Sequence, residues 1–149
     1  MRELKSCRLN VLGLAVGLLL MLGCSDDGGS PTDPEPQIDS VSVESITPAA
    51  GEVLRAGSQV TFRARVRYTL ATASSGRVSM VIEDQTSRNI SSTVPQPSAQ
   101  VQRGSGTAEL VDTINLPASG VTRVDVFLPL FPTGASSTST VQIVRYPVL

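Results

Sequence analysis

From Gln59 to Leu70 the chain reads QVTFRARVRYTL, and polarity changes at every residue. Val60, Phe62, Ala64, Val66, Tyr68 and Leu70 fall on one side, while Thr61, Arg63, Arg65, Arg67 and Thr69 fall on the other. Side chains of an extended strand point alternately to opposite faces, whereas a helix repeats every 3.6 residues. This stretch therefore predicts a strand with one dry and one wet face.

The rest of the chain after residue 37 follows the same period. Ile38 to Ile46 reads as a first strand, closed by Thr47-Pro48 and Gly51, with a short piece at Val53 and Leu54 ending at Gly57. Gly76 to Asp84 predicts a strand with Val78, Met80 and Ile82 inward, and Arg88 to Val94 a weaker one ended by Pro95 and Pro97. Thr107 to Leu116 and Val121 to Leu130 follow, the latter with Val124, Val126 and Leu128 on one face. In the last, Ser137 to Tyr146, Val141 and Ile143 compete with Val144 and Tyr146 for the inner face.

About seven strands at short spacing, with glycine and proline between them and no helical pattern, predict an all-β fold: an antiparallel β-sandwich over residues 38–149. A closed barrel is the alternative, but seven antiparallel strands do not close neatly in up-and-down order. Aromatic residues make up 3% of the 149 residues and tryptophan is absent, so the core must come from Val, Leu, Ile and Ala. The stretch ITPAAGEVLRAGSQVTFRARV, Ile46 to Val66, resembles the opening of bacterial immunoglobulin-like or fibronectin type III-like domains. That resemblance implies an immunoglobulin-like sandwich, although the cysteine pair and the core tryptophans of those families are missing.

Ahead of the domain the composition changes twice. Residues 1–23 carry Arg2, Lys5 and Arg8, then the apolar run Val11 to Leu22, then Gly23. That is the order of a secretory signal, and the run is short of the about 20 apolar residues that cross a bilayer. A core helix would be apolar all round, with nothing helical downstream to pack around it. Met21, Leu22, Gly23 and Cys24 resemble a bacterial lipobox, the motif cut by the lipoprotein signal peptidase. The resemblance implies cleavage between Gly23 and Cys24, and attachment of diacylglycerol and palmitate-type chains to Cys24. Several acyl chains anchor a protein stably where one is marginal. Cys7, with no apolar run before it, does not fit. Ser25 rather than Asp after the cysteine implies the outer membrane under enterobacterial-type sorting.

Residues 24–37 form a linker. Ser25 to Gln37 reads SDDGGSPTDPEPQ, with three prolines, two glycines, four acids and no apolar residue. Such a segment cannot bury itself and is expected to stay solvated, reaching up to roughly 40 Å. Asp26, Asp27, Asp33 and Glu35 do not have the alternating spacing of a calcium loop, so no metal is expected there.

Chemistry is thinly represented. Histidine is absent, and there is no GxSxG, P-loop or zinc spacing, so no cofactor is expected. The carboxylates Glu83 and Asp84, like Glu109 and Asp112, fall on opposite faces of their strands and cannot bracket one bond. Twelve basic residues against 13 acidic ones leave a net charge of -1, which does not favour nucleic acid. The ladder Arg63, Arg65 and Arg67 is expected to pair across strands with acids such as Glu44 and Glu109; a site for acidic glycans or lipopolysaccharide is the alternative. In an immunoglobulin-like order, Val81, Phe127 and Val144 form an outward apolar patch fit for docking.

Together these readings predict a lipid-anchored protein of the bacterial envelope. Its membrane contact is the acylated cysteine, and its sandwich is a non-catalytic binding or structural module for a protein or glycan. A carboxylate-dependent hydrolase and an accessory subunit of an envelope complex are the alternatives.

Overall fold

The alternating stretch becomes a strand, but it does not stop at Leu70. In the computed structural model, which describes residues 38–149, it continues to Ser79. The strands are β1 (Ser40–Thr47), β2 (Gln59–Ser79), β3 (Val81–Asp84), β4 (Ser98–Asn115), β5 (Arg123–Pro132) and β6 (Thr140–Pro147). Gly23, Cys24 and the linker lie outside the described residues.

Every named pair is antiparallel: β1 with β2, β2 with β4, β2 and β3 with β5, and β5 with β6. One hydrogen-bonded sheet is folded over on itself, because β2 and β4 each cross from one layer to the other. The first layer holds β1, the start of β2 and the end of β4. The second holds the start of β4, the end of β2 with β3, then β5 and β6.

The crossing is made by an irregularity. Gln59↔Asn115 to Leu70↔Gly104 pair in one register; pairing then resumes at Ser75↔Gln102, with β2 advancing five residues and β4 only two. Extra residues on one strand bend it and increase its twist. Their backbone needs partners, and Asp39 supplies them: Ala71 N and Thr72 N donate to its Oδ1 at 2.7 and 3.0 Å, and Thr72 Oγ1 donates to Oδ2 at 2.6 Å. Burial alone pushes this carboxyl upward, but the bonds from Thr72 and Ala71 outweigh it and hold the pKa at about 2.

Between the layers lies a core of aliphatic side chains, as the composition requires, including Val66, Leu70, Ile82, Ile114 and Leu128. Two aromatic rings join them. Tyr146 meets Phe62 edge-on, with centroids 5.2 Å apart and planes at 64°, and its hydroxyl donates to Pro48 O at 2.8 Å. Burial, with the charge of Glu52 adding to it, raises the phenol to about 12.

Two expectations about the elements are corrected. The Gly76 to Asp84 strand begins as the continuation of the one before it and, after a break at Met80, ends as β3. Arg88 to Val94 forms no strand, only an isolated bridge between Asn89 and Glu83, which leaves six strands among the described residues. The reason is local: serine, threonine and asparagine side chains there bond to nearby carboxylates and backbone, and so compete with a ladder.

The low carboxylate pKa values make stability depend on acid. Asp84 is also held at about 2, chiefly by the Thr86 hydroxyl, against a value of 3.8 for an ordinary aspartate. A folded pKa below the unfolded one means the contribution is complete above about pH 4 and is lost as pH falls toward 2. The melting temperature is expected to fall over that window, and less steeply in Asp39→Asn. Circular dichroism melts at stepped pH measure this.

Candidate functional site

The second layer turns an unusual face to solvent. The end of β2 and all of β3 keep one unbroken register with β5, from Gly76↔Pro132 through Val78↔Leu130 and Val81↔Phe127 to Asp84↔Val124. Val78, Ile82, Val124, Val126, Leu128 and Leu130 therefore point into the core. On the other face Arg77, Ser79, Val81 and Glu83 lie beside Phe131, Pro129, Phe127 and Asp125 of β5, with Ser79, Pro129 and Asp125 themselves buried. On the far side, β6 sets Val141 opposite Pro129, Ile143 opposite Phe127, and Arg145 opposite Asp125.

Side by side, Val81, Phe127, Pro129, Phe131, Val141 and Ile143 make an apolar band across three strands, outside the core cluster; Val141 is exposed, Val81, Phe127, Phe131 and Ile143 are half-buried, and Pro129 is buried between them. An outer sheet face is usually polar, so a contiguous apolar one marks a contact surface. Charges bound it at both ends. Arg77 lies over the Phe131 ring, 4.9 Å from the centroid, with no ion-pair partner among the described residues. At the other end Glu83, likewise without an ion pair, sits opposite Asp125. Asp125 is buried, with Arg123 Nε 2.9 Å and Arg145 Nε 3.8 Å from its Oδ1. That oxygen has no well-directed hydrogen bond.

Val81 and Phe127 lie where the sequence puts them, directly opposite each other. Val144 does not. It is 8% exposed and belongs to the core, paired with Val126; Ile143 takes its place on the outer face. Four residues of the band lie outside the expected patch: Pro129 and Phe131 are not singled out from sequence, and Val141 and Ile143 enter only as competitors of Val144 and Tyr146 for the inner face. A signal was present, because β5 reads VFLPLFP with apolar residues on both phases, and β6 shows the same double phase. A strand apolar on both faces lies between two apolar layers.

The first layer turns the arginine ladder outward, and pairing with acids accounts for most of it. Glu44 is the extra residue where β1 slips against β2, which aims its carboxylate at two arginines. Arg65 Nε donates to Oε2 at 3.0 Å and Arg67 Nε to Oε1 at 2.8 Å, while Arg65 also reaches Glu109 at 3.5 Å. The bonds from Arg67 and then Arg65 lower the Glu44 pKa. Arg63 has no ion pair among the described residues; it lines a shallow groove of about 320 Å³ with Ser45, Thr47 and Val111.

No family model and no curated relative match the chain. Among solved structures, it is similar to part of a family 123 glycoside hydrolase from Clostridium perfringens that hydrolyses glycolipid glycans. That similarity covers 76% of this chain and 27% of the other, at 10% identity and a TM-score of 0.41.

The remaining carboxylates fasten a loop. Asp84 points inward from the end of β3 and accepts bonds from Thr86 N, Thr86 Oγ1, Arg88 N and Arg88 Nε. Asp112 of β4, also buried, accepts from the Ser91 and Thr93 hydroxyls. Glu83 and Asp84 thus face opposite ways, as do exposed Glu109 and buried Asp112. Asp112→Ala removes the acceptor for two hydroxyls and is expected to cost about 1–3 kcal/mol. It frees the loop as well, so trypsin should cut after Arg88 faster than in the parent chain.

Proposed function

We propose that this protein is a lipid-anchored module of the bacterial envelope, acylated at Cys24, whose sandwich binds a partner through the outer face of its second layer. The observation that carries the binding reading is the apolar band through Val81, Phe127 and Ile143. Ordinary outer faces alternate to polar residues there, and burying the band against a partner recovers the apolar area it leaves in water. The anchoring reading rests on the leader alone, where an apolar run ends at Gly23-Cys24 and an acidic proline-rich spacer follows. The outer membrane is the proposed location, from Ser25.

A catalytic role is not proposed. Asp125, the carboxylate facing Glu83, is held between two arginines, an arrangement that suits a fixed ion pair better than proton transfer.

The test uses the full chain in its host. Phe127→Arg puts an unpaired charge in the middle of the band and is expected to abolish cross-linking to partners in native membranes, with expression and melting temperature unchanged. Capture at the parental level by Phe127→Arg overturns the binding face. An unacylated sulfur at Cys24 in the mature protein, read by mass spectrometry, overturns the anchor.

A further inference from the structure

We propose that the partner of this face is a second copy of the same chain, the two stacking face to face about a two-fold axis that runs across the strands. The inference rests on the face being the contact surface, as proposed above, and adds the occupant. It is carried by the charge order along one strand.

Because β2 and β3 share one register against β5, Arg77, Ser79, Val81 and Glu83 form a single outward line. A two-fold axis between the levels of Ser79 and Val81 reverses this line onto itself. Arg77 then faces Glu83 of the second copy, and Glu83 faces Arg77 of the second copy. Both are without an ion pair among the described residues, and both lie at the ends of the apolar band rather than in its middle. The guanidinium leans over Phe131 toward β5. That lean aims it at the edge where Glu83 and Asp125 of the second copy sit side by side.

Other elements meet acceptable neighbours in the same arrangement. Phe127 and Ile143 pack against Pro129 and Val141 of the second copy, and Arg145 meets the level of Ser139, so no like charges are opposed. An axis along β5 instead would set Asp125 against itself and is disfavoured on that ground. An interface that repeats its own patch with opposite charges at the two ends is what closed two-fold association requires. The face is modest, roughly 20 Å across four strands by roughly 24 Å along them from strand spacing and rise. That size suits a weak dimer in solution, strengthened when both copies are held on one membrane surface.

Charge exchange tests the pairing. The acylated full chain in detergent micelles is followed by sedimentation equilibrium, comparing the parent with Arg77→Glu, Glu83→Arg, the double exchange and Phe127→Arg. Within one chain, residues 77 and 83 are six positions apart on a strand and do not touch, so rescue between them can only arise between copies. The parent is expected to dimerise. Each single exchange should weaken the dimer by roughly tenfold or more, since two like-charge contacts replace two attractive ones, and the double exchange should restore it to within roughly threefold. A monomeric parent, or a double exchange no better than the singles, overturns the second copy as occupant. If the parent is monomeric while Phe127→Arg still loses its cross-links in membranes, only the occupant is wrong; if Phe127→Arg loses nothing in either assay, the face itself is wrong.

Discussion

Phe62→Ala is expected to destabilise the sandwich by about 3–5 kcal/mol, a large part of the total for a domain of this size. Phe62 is fully buried on β2 and is one of very few rings in the protein. Its loss removes the edge-on contact with Tyr146, worth about 0.5–1.5 kcal/mol beyond area, and leaves a cavity. The surrounding valines and leucines are held by strands paired on both edges and cannot close it. Tyr146 also keeps the Pro48 carbonyl satisfied, so a tilted ring strains that bond too. Urea denaturation monitored by circular dichroism measures the change; a loss below about 1.5 kcal/mol would mean the site collapses freely.

Gly76→Val is expected to be the second severe substitution, at the upper end of the overpacking range, about 3 kcal/mol. Gly76 sits where β2 pairs on both edges at once, with Val101 of β4 and Pro132 of β5. A Cβ there would lie 2.7 Å from Phe131 O, with Leu70 Cδ2 at 3.2 Å and Pro132 Cα at 3.3 Å. The nearest of these is backbone, held in the ladder, so relief requires β2 and β5 to part. Soluble yield and melting temperature should both drop, while Ser74→Ala, at an exposed position of the same bend, should change neither.

Strand identity was legible wherever one face is dry and the other wet. The alternation in Gln59–Leu70 assigned every inward residue of that stretch, and Val78, Met80, Ile82, Val124, Val126 and Leu128 were placed correctly by the same rule. The ion pairs of Arg65 with Glu44 and Glu109 were legible too, since opposite charges on one face of neighbouring strands meet. What misled was Ser137–Tyr146, where both phases are apolar. The rule of alternation assumes only one apolar side, and it failed because the outer face here is apolar as well. Val144 went to the core for that reason, and Ile143 took the place expected of it.

The sequence by itself determined that the domain is all-β, what its core is made of, and the expectation of an anchored leader at Cys24. These follow from local period and composition, which need no knowledge of neighbours. Only the tertiary structure decided that β2 bends from one layer into the other around Asp39, and that Val81, Phe127 and Ile143 become one surface. Bringing three distant segments level depends on register, and register is fixed by pairings and bulges between strands rather than by any one strand alone.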